Sequence, residues 1–171
     1  MNRHDGFTLI ELLLVLAIIG IISAIAIPAM LSQRARARDK ASMDHVAGRI
    51  SDLAGQWDKA REAGLTASQA VASMQAYLKN TATKDLNPWT TAGASTAYNF
   101  TITPIAGQPS ASAFAKQVGL LAQPSNMGQV QLAAQAPVPG IPGFIGAAVY
   151  LNASSTTDVV PHVRAKVTAI E

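Results

Sequence analysis

The 171-residue chain contains no cysteine, and only 13% of its residues are charged. Without cysteine it forms no disulfide and offers no thiolate to zinc, to an iron–sulfur cluster or to nucleophilic catalysis. The charged fraction is far below the roughly 25% of an ordinary soluble domain, whereas the mean hydropathy is positive, at +0.22. This composition indicates a membrane segment, a surface covered by partners, or both.

Patterns typical of catalysis or metal binding are also scarce in the sequence. His4 lies near the amino terminus, and His45 and His162 have no second ligand at the spacing of a metal site. The sequence shows neither a glycine-rich phosphate loop nor a nucleophile elbow. The few acidic residues of the second half are too far apart in sequence for a calcium cage. We therefore predict no enzyme, no metal site and no cofactor.

Charge is unevenly distributed along the chain. No charged residue lies between Glu11 and Gln33. A basic collar follows, formed by Arg34, Arg36, Arg38 and Lys40. Such a cluster can bind phosphate in a lipid or a nucleic acid, or it can be the solvated flank of a membrane segment.

Residues 12–31 form an apolar segment, LLLVLAIIGIISAIAIPAML, whose one polar side chain is Ser23. In a helix that rises 1.5 Å per residue, this segment covers ~30 Å, which is the thickness of the hydrocarbon core of a bilayer. It is too long for the apolar part of a secretory signal peptide, and no small-residue cleavage site follows it. The sequence predicts a membrane-spanning helix over residues 7–31.

Three residues in or beside this segment are unusual for a membrane helix. Glu11 lies at its start, where a charge either reaches the membrane interface or requires a positive partner. Pro28 lacks an amide hydrogen and clashes with the preceding turn, so we expect a kink or a weak stretch there. Gly20 is a second weak point.

The start of the chain resembles the type IV pilin superfamily. The resemblance rests on the string GFTLIEL at residues 6–12, with a short polar leader before it and a long apolar helix after it. It implies that a prepilin peptidase cleaves between Gly6 and Phe7, removing residues 1–6, and that the new amino terminus on Phe7 is methylated. Glycine suits the cleavage position because a protease requires an extended and unencumbered backbone.

The same resemblance implies a partner for Glu11. In such filaments the acidic side chain is thought to neutralise the amino-terminal amine of a neighbouring subunit, which makes Glu11 a filament-assembly residue. Gly20 and Pro28 match positions where the helix of the family is interrupted in assembled filaments. The implied fold class is α+β, with a long amino-terminal helix packed on a small antiparallel β-sheet head.

The orientation in the membrane is predicted differently by charge and by resemblance. Because the basic collar follows the span, charge bias alone would place the carboxyl side in the cytoplasm. The resemblance implies instead that the leader is cytoplasmic and the head lies outside, and we follow the resemblance. We expect a single-pass inner-membrane protein before assembly and a cell-surface pilus afterwards. Expected partners are other copies of the chain, prepilin peptidase and the inner-membrane assembly machinery.

The helix is predicted to continue as an amphipathic segment over residues 32–62. Apolar side chains recur there at spacings of three and four residues, which is one face of a helix, and Gly64 is a candidate C-cap. The predicted buried stripe consists of Met43, Val46, Ile50, Leu53, Trp57 and Ala60.

Residues 63–171 are predicted to form the globular head. Thr66 and Gln69 have the spacing of a capping box and indicate a second helix, and apolar spacing favours a short third helix near residues 114–121. Alternating or continuous apolar runs predict about four strands, near residues 98–103, 129–134, 144–151 and 163–168.

The resemblance favours the structural subunit of a type IV pilus, but two other functions remain open. A pseudopilin of a type II secretion system would share the amino-terminal motif, although the calcium-binding loop of major pseudopilins has no counterpart in this sequence. A minor pilin that binds DNA could use the basic collar, or a second basic set formed by Lys116, Arg164 and Lys166.

Overall fold

The computed structural model describes residues 7–81, 85–90, 102–152 and 162–171. The chain divides into two compact units, one that ends at Arg36 and one that begins at Ala37. In the described residues the helices are α1 (Leu9–Glu62), α2 (Ala67–Thr81) and α3 (Ala111–Gly119), and the strands are β1 (Ile102–Pro104), β2 (Val130–Gln135), β3 (Gly143–Tyr150) and β4 (Val163–Ile170).

The described part of the first unit consists almost entirely of the apolar portion of α1. The helix runs through Gly20 and contains Pro28 in its interior. Because proline has no amide hydrogen, the helical hydrogen bond to the carbonyl of Ala24 cannot form at this point. Weakening of the helix at Gly20 and Pro28 stays a prediction.

In the second unit, α1 buries most of the predicted stripe. The prediction is wrong for Met43, which is 41% exposed. The buried face continues instead through Ser42 and Asp39. The Ser42 hydroxyl donates to the carbonyl of Arg38 (3.0 Å), and the Asp39 carboxylate accepts from the backbone N–H of Asn152 (3.0 Å). The residues of the stripe that are at most 5% exposed are Val46, Ile50, Leu53, Trp57 and Ala60.

The junction between α1 and α2 follows its sequence signals. Gly64 adopts a left-handed conformation (φ 73°), and the N–H of Leu65 donates to the carbonyl of Ala60 (3.0 Å), as in a Schellman motif. The capping box of α2 is also present. The N–H of Thr66 donates to Oε1 of Gln69 (2.9 Å), and the N–H of Gln69 donates to Oγ1 of Thr66 (3.4 Å).

The four strands form one sheet in the order β1-β2-β3-β4. The pairs β2–β3 and β3–β4 are antiparallel, whereas β1 pairs with β2 in parallel. The sheet is therefore mostly antiparallel, as predicted, and β1 is the one described strand that departs from the prediction. Parallel neighbours require a long crossover connection, and α3 lies within that connection. The first predicted strand falls mostly outside the described residues, which begin again at Ile102.

The two faces of the sheet bury different helices. Ile145, Ala147 and Val149 of β3 share a cluster with α1 and α2, whereas Phe144 and Ala148 share a second cluster with Phe114 and Val118 of α3. These are the two faces that alternate along a strand. The structure thus confirms an α+β fold in which a long amino-terminal helix is followed by a head built on a mostly antiparallel sheet.

Candidate functional site

The most unusual surface of the molecule is the apolar portion of α1. An 18-residue window of this helix has a mean hydropathy of 2.9, and none of it is buried. By length and composition the helix is able to cross a membrane. No described part of the chain buries this window, and a helix that is apolar on all sides requires lipid or other protein around it.

Glu11 and Thr8 form a capping box at the start of α1. Oε2 of Glu11 accepts from the N–H of Thr8 (3.3 Å) and from its hydroxyl (3.1 Å). In return, the N–H of Glu11 donates to the Thr8 hydroxyl (3.3 Å). This role of Glu11 is not among the predictions made from the sequence, although the pattern Thr-x-x-Glu before an apolar helix is its signature. Glu11 therefore stabilises the start of the helix within its own chain.

The capping box leaves much of the Glu11 carboxylate accessible. Glu11 is exposed, and only Oε2 accepts the hydrogen bonds from Thr8. Phe7 immediately precedes Thr8, and its side chain is 81% exposed. The other side of the predicted cleavage site, Gly6, lies outside the described residues. Beside the apolar surface the structure thus presents one acidic group that can still accept a cation.

The basic collar is only partly used within the molecule. The guanidinium of Arg38 lies over the ring of Trp89, 5.5 Å from its centroid, a cation–π arrangement. Arg34, Arg36 and Lys40 are exposed. The structure records no ion pair or side-chain hydrogen bond for these three within the described residues.

The second basic set does not form one patch. Arg164 and Lys166 pair with Val149 and Ala147 of β3, so they lie on the sheet face that packs against α1 and α2. Lys116 belongs to α3, which packs on the opposite face. The expectation that these three residues act together on DNA is therefore wrong, because the sheet separates them.

The two described histidines are both half-buried. His45 lines a groove on α1, and His162 stacks on Tyr150 with ring centroids 5.6 Å apart. Across the described ranges, no group of three or more His, Asp or Glu side chains is arranged to hold a metal ion.

Comparison with known proteins gives matches to short segments of the chain. Residues 1–27 match the family model described as the prokaryotic N-terminal methylation motif. Over 38 residues the chain is 60% identical to a fimbrial protein of Moraxella nonliquefaciens, covering 22% of this chain and 25% of that protein. Over 39 residues it is 56% identical to the type IV wide pilus major component PilA4 of Thermus thermophilus, covering 23% of this chain and 30% of that protein.

A type IV major alpha-pilin of Moraxella bovis is 69% identical over 29 residues, covering 17% of this chain and 18% of that protein. The matched segment thus spans less than a third of each of these three relatives. No solved structure matches the chain significantly. The family-model match covers the first part of the apolar helix and the residues just before it.

Proposed function

Because the chain carries the amino-terminal segment of the type IV pilin superfamily, we propose that it is the structural subunit of a type IV pilus. The observation that carries the proposal is the apolar portion of α1, which has no buried residue in its most apolar window. A helix that is apolar on all sides requires either a membrane or other protein chains around it. A filament subunit uses both environments in turn.

In this proposal the chain is first held in the membrane and then processed. Prepilin peptidase cleaves between Gly6 and Phe7, and Phe7 becomes a methylated amino terminus. Methylation leaves the amine positively charged. The new terminus, on Phe7, then lies four residues before Glu11, at the end of the apolar surface. Glu11 is the capping-box partner of Thr8.

Glu11 directs assembly by pairing with the amine on Phe7 of a neighbouring copy. In the apolar interior of a filament each of these charges is costly alone, and removing one partner of such a pair costs about 3–5 kcal/mol. The exposed carboxylate oxygens of Glu11 are available for this pairing. The relatives that support the proposal are named as a pilus major component and a major alpha-pilin.

Two substitutions at Glu11 separate its charge from its role in the capping box. Glutamine preserves a capping box but carries no charge, whereas alanine removes both. We expect Glu11→Gln and Glu11→Ala each to reduce the yield of sheared surface filaments by roughly a hundredfold or more. Immunoblots of the membrane fraction should show normal insertion and leader removal for both variants.

Thr8→Ala is the matched control because it removes the capping hydroxyl but keeps the Glu11 carboxylate. We expect filament yield close to that of the unmodified chain. Wild-type amounts of filaments from Glu11→Gln, with a defect in Thr8→Ala, would show that only the helix cap matters.

Mass spectrometry of the sheared filaments tests the processing steps directly. The expected subunit begins at a methylated Phe7. A pseudopilin would instead give few surface filaments, and deleting its gene would leave secreted proteins inside the cell. That pair of results would overturn the proposal.

A further inference from the structure

An open groove of about 310 Å³ lies on α1 within the second unit. Three of its six lining residues are aspartates. This acidic groove is lined by Asp44, His45, Gly48, Arg49, Asp52 and Asp85.

Arg49, the arginine of the acidic groove, already forms ion pairs within the chain. The Arg49 guanidinium pairs with Asp52 (3.1 Å) and with Asp85, to which its Nε also donates (2.7 Å). Asp44 is exposed, and the structure records neither an ion pair nor a side-chain hydrogen bond for it within the described residues. Lys40 lies one turn before Asp44 without pairing with it. The groove therefore keeps an excess of negative charge.

The floor of the acidic groove is open because residue 48 is glycine. A Cβ built at Gly48 meets no other atom within 4 Å. An exposed glycine inside a helix costs about 1 kcal/mol relative to alanine, and no positive φ requires a glycine at this position. Asp44 and Asp52 lie one turn before and one turn after Gly48, so their carboxylates flank the gap.

Charge complementarity identifies what fits this helix face. Arg34, Arg36 and Lys40 of the basic collar are exposed and have no recorded ion pair in the described residues. A guanidinium presents a planar set of donors that matches a carboxylate. Identical parallel helices placed side by side in register would oppose like charges, whereas a shift along the axis brings the collar of one copy to the acidic groove of another.

We propose that the acidic groove receives the basic collar of a second copy of this chain, with a collar arginine lying over Gly48 between Asp44 and Asp52. The proposal rests on the proposed function, because it assumes that copies assemble in parallel through α1. It adds a second, electrostatic contact to the pairing of Glu11 with the amino terminus. The collar arginines lie 10–14 residues before Gly48, whereas Phe7 lies four residues before Glu11. The two contacts therefore join different pairs of copies, and each fixes the axial shift of its own pair.

Because the chain has no cysteine, disulfide cross-linking can report this contact. Ala37→Cys places a thiol in the collar without removing a charge, and Gly48→Cys places one on the groove floor. Within one copy these positions are ~16 Å apart along the helix, whereas a disulfide requires a Cα separation of about 4.4–6.8 Å. Any disulfide between them therefore joins two copies.

Oxidised filaments of the double variant should give a ladder of dimers, trimers and longer species on a non-reducing gel. The matched control is Ala37→Cys with Ala72→Cys, which puts the second thiol on the exposed surface of α2. We expect no ladder beyond that of the single variants. Filaments in which the groove pair gives no more cross-linking than this control would overturn the proposal.

Substitutions in the acidic groove provide a second readout. Gly48→Leu fills the gap and Asp44→Arg reverses its free charge, so we expect each to lower sheared-filament yield about tenfold or more, since like charges across an interface are strongly unfavourable. Adding Arg34→Asp and Arg36→Asp to Asp44→Arg should restore filaments. Gly48→Leu should not lower the melting temperature of the detergent-solubilised chain, because leucine is a better helix former than glycine.

The outcomes distinguish this proposal from the proposed function. If the unmodified chain forms no filament, both the proposed function and the proposed contact are overturned. If the unmodified chain and both groove variants form equal filaments, only the contact is overturned.

Discussion

Single residues in the head hold loops in place through contacts that depend on their exact chemistry. Asn87 accepts a hydrogen bond from the N–H of Trp89 (2.9 Å) and donates one to the carbonyl of Met127 (2.9 Å). Gly128 has a φ of 73°, and a Cβ there would lie 2.5 Å from Cδ1 of Trp89 and also against Asn87. This close approach requires glycine at position 128.

Gly128→Ala should therefore be strongly destabilising. Left-handed backbone strain and steric overlap together lower the free energy of unfolding by about 2–4 kcal/mol. Thermal unfolding of the detergent-solubilised chain, followed by tryptophan fluorescence, measures the effect.

Gly140→Ala is the control, because Gly140 has a similar φ of 81° but no atom within 4 Å of its Cβ position. We expect only the backbone cost, about 1–2 kcal/mol. Equal effects at the two positions would contradict the role assigned to Asn87 and Trp89.

At the scale of the element, α1 changes its environment along its length. In the second unit it has one buried face and one exposed face. Leu53 is 1% exposed, whereas Met43 is 41% exposed, although both belong to the stripe predicted from the sequence. The difference arises because the polar residues Ser42 and Asp39 occupy the buried face at that end.

Truncating these two side chains should show which face is buried. Leu53→Ala creates a cavity and should cost about 2–5 kcal/mol, while Met43→Ala should change stability by less than about 0.5 kcal/mol. Urea titration of the detergent-solubilised chain gives both values. A cost above about 2 kcal/mol for Met43→Ala would place that residue in the core after all.

Local signals account for most elements that the sequence predicted correctly. The capping box at Thr66, the glycine at position 64 and the apolar spacing around Leu53 each act within a few residues, so they can be recognised in the sequence. The parallel pairing of β1 with β2 could not be recognised in this way, because it joins residues thirty positions apart. The same is true of the acidic groove, in which Arg49 meets Asp85.

At the candidate site, too, some features could be predicted from the sequence and others could not. The string around Glu11 identified the residue but not its hydrogen bonds to Thr8, although the pattern for a capping box was present. Grouping Lys116 with Arg164 was wrong because sequence does not show which sheet face a residue occupies. Those faces follow from the strand register.

At the scale of the whole molecule, hydrogen bonds hold the segment after β4 and two loops, because a chain without cysteine has no disulfide to do so. The indole N–H of Trp57 donates to the carbonyl of Glu171 (3.0 Å), which ties the last residue to the middle of α1. Gln135 is buried and joins two loops by donating to the carbonyls of Gln108 (3.0 Å) and Pro142 (2.8 Å). Hydrogen bonds from buried side chains thus hold these segments together in a chain that has no disulfide.

The exposed apolar helix also restricts the environments between which a copy of the chain can move. Thirteen large apolar side chains between Leu12 and Leu31 are exposed, and bringing them into water would cost on the order of 20 kcal/mol. A copy of the chain dissolved in water is therefore too rare to exchange. Under the proposed function, each copy passes directly from bilayer to fibre, and a broken fibre returns its subunits only to a bilayer.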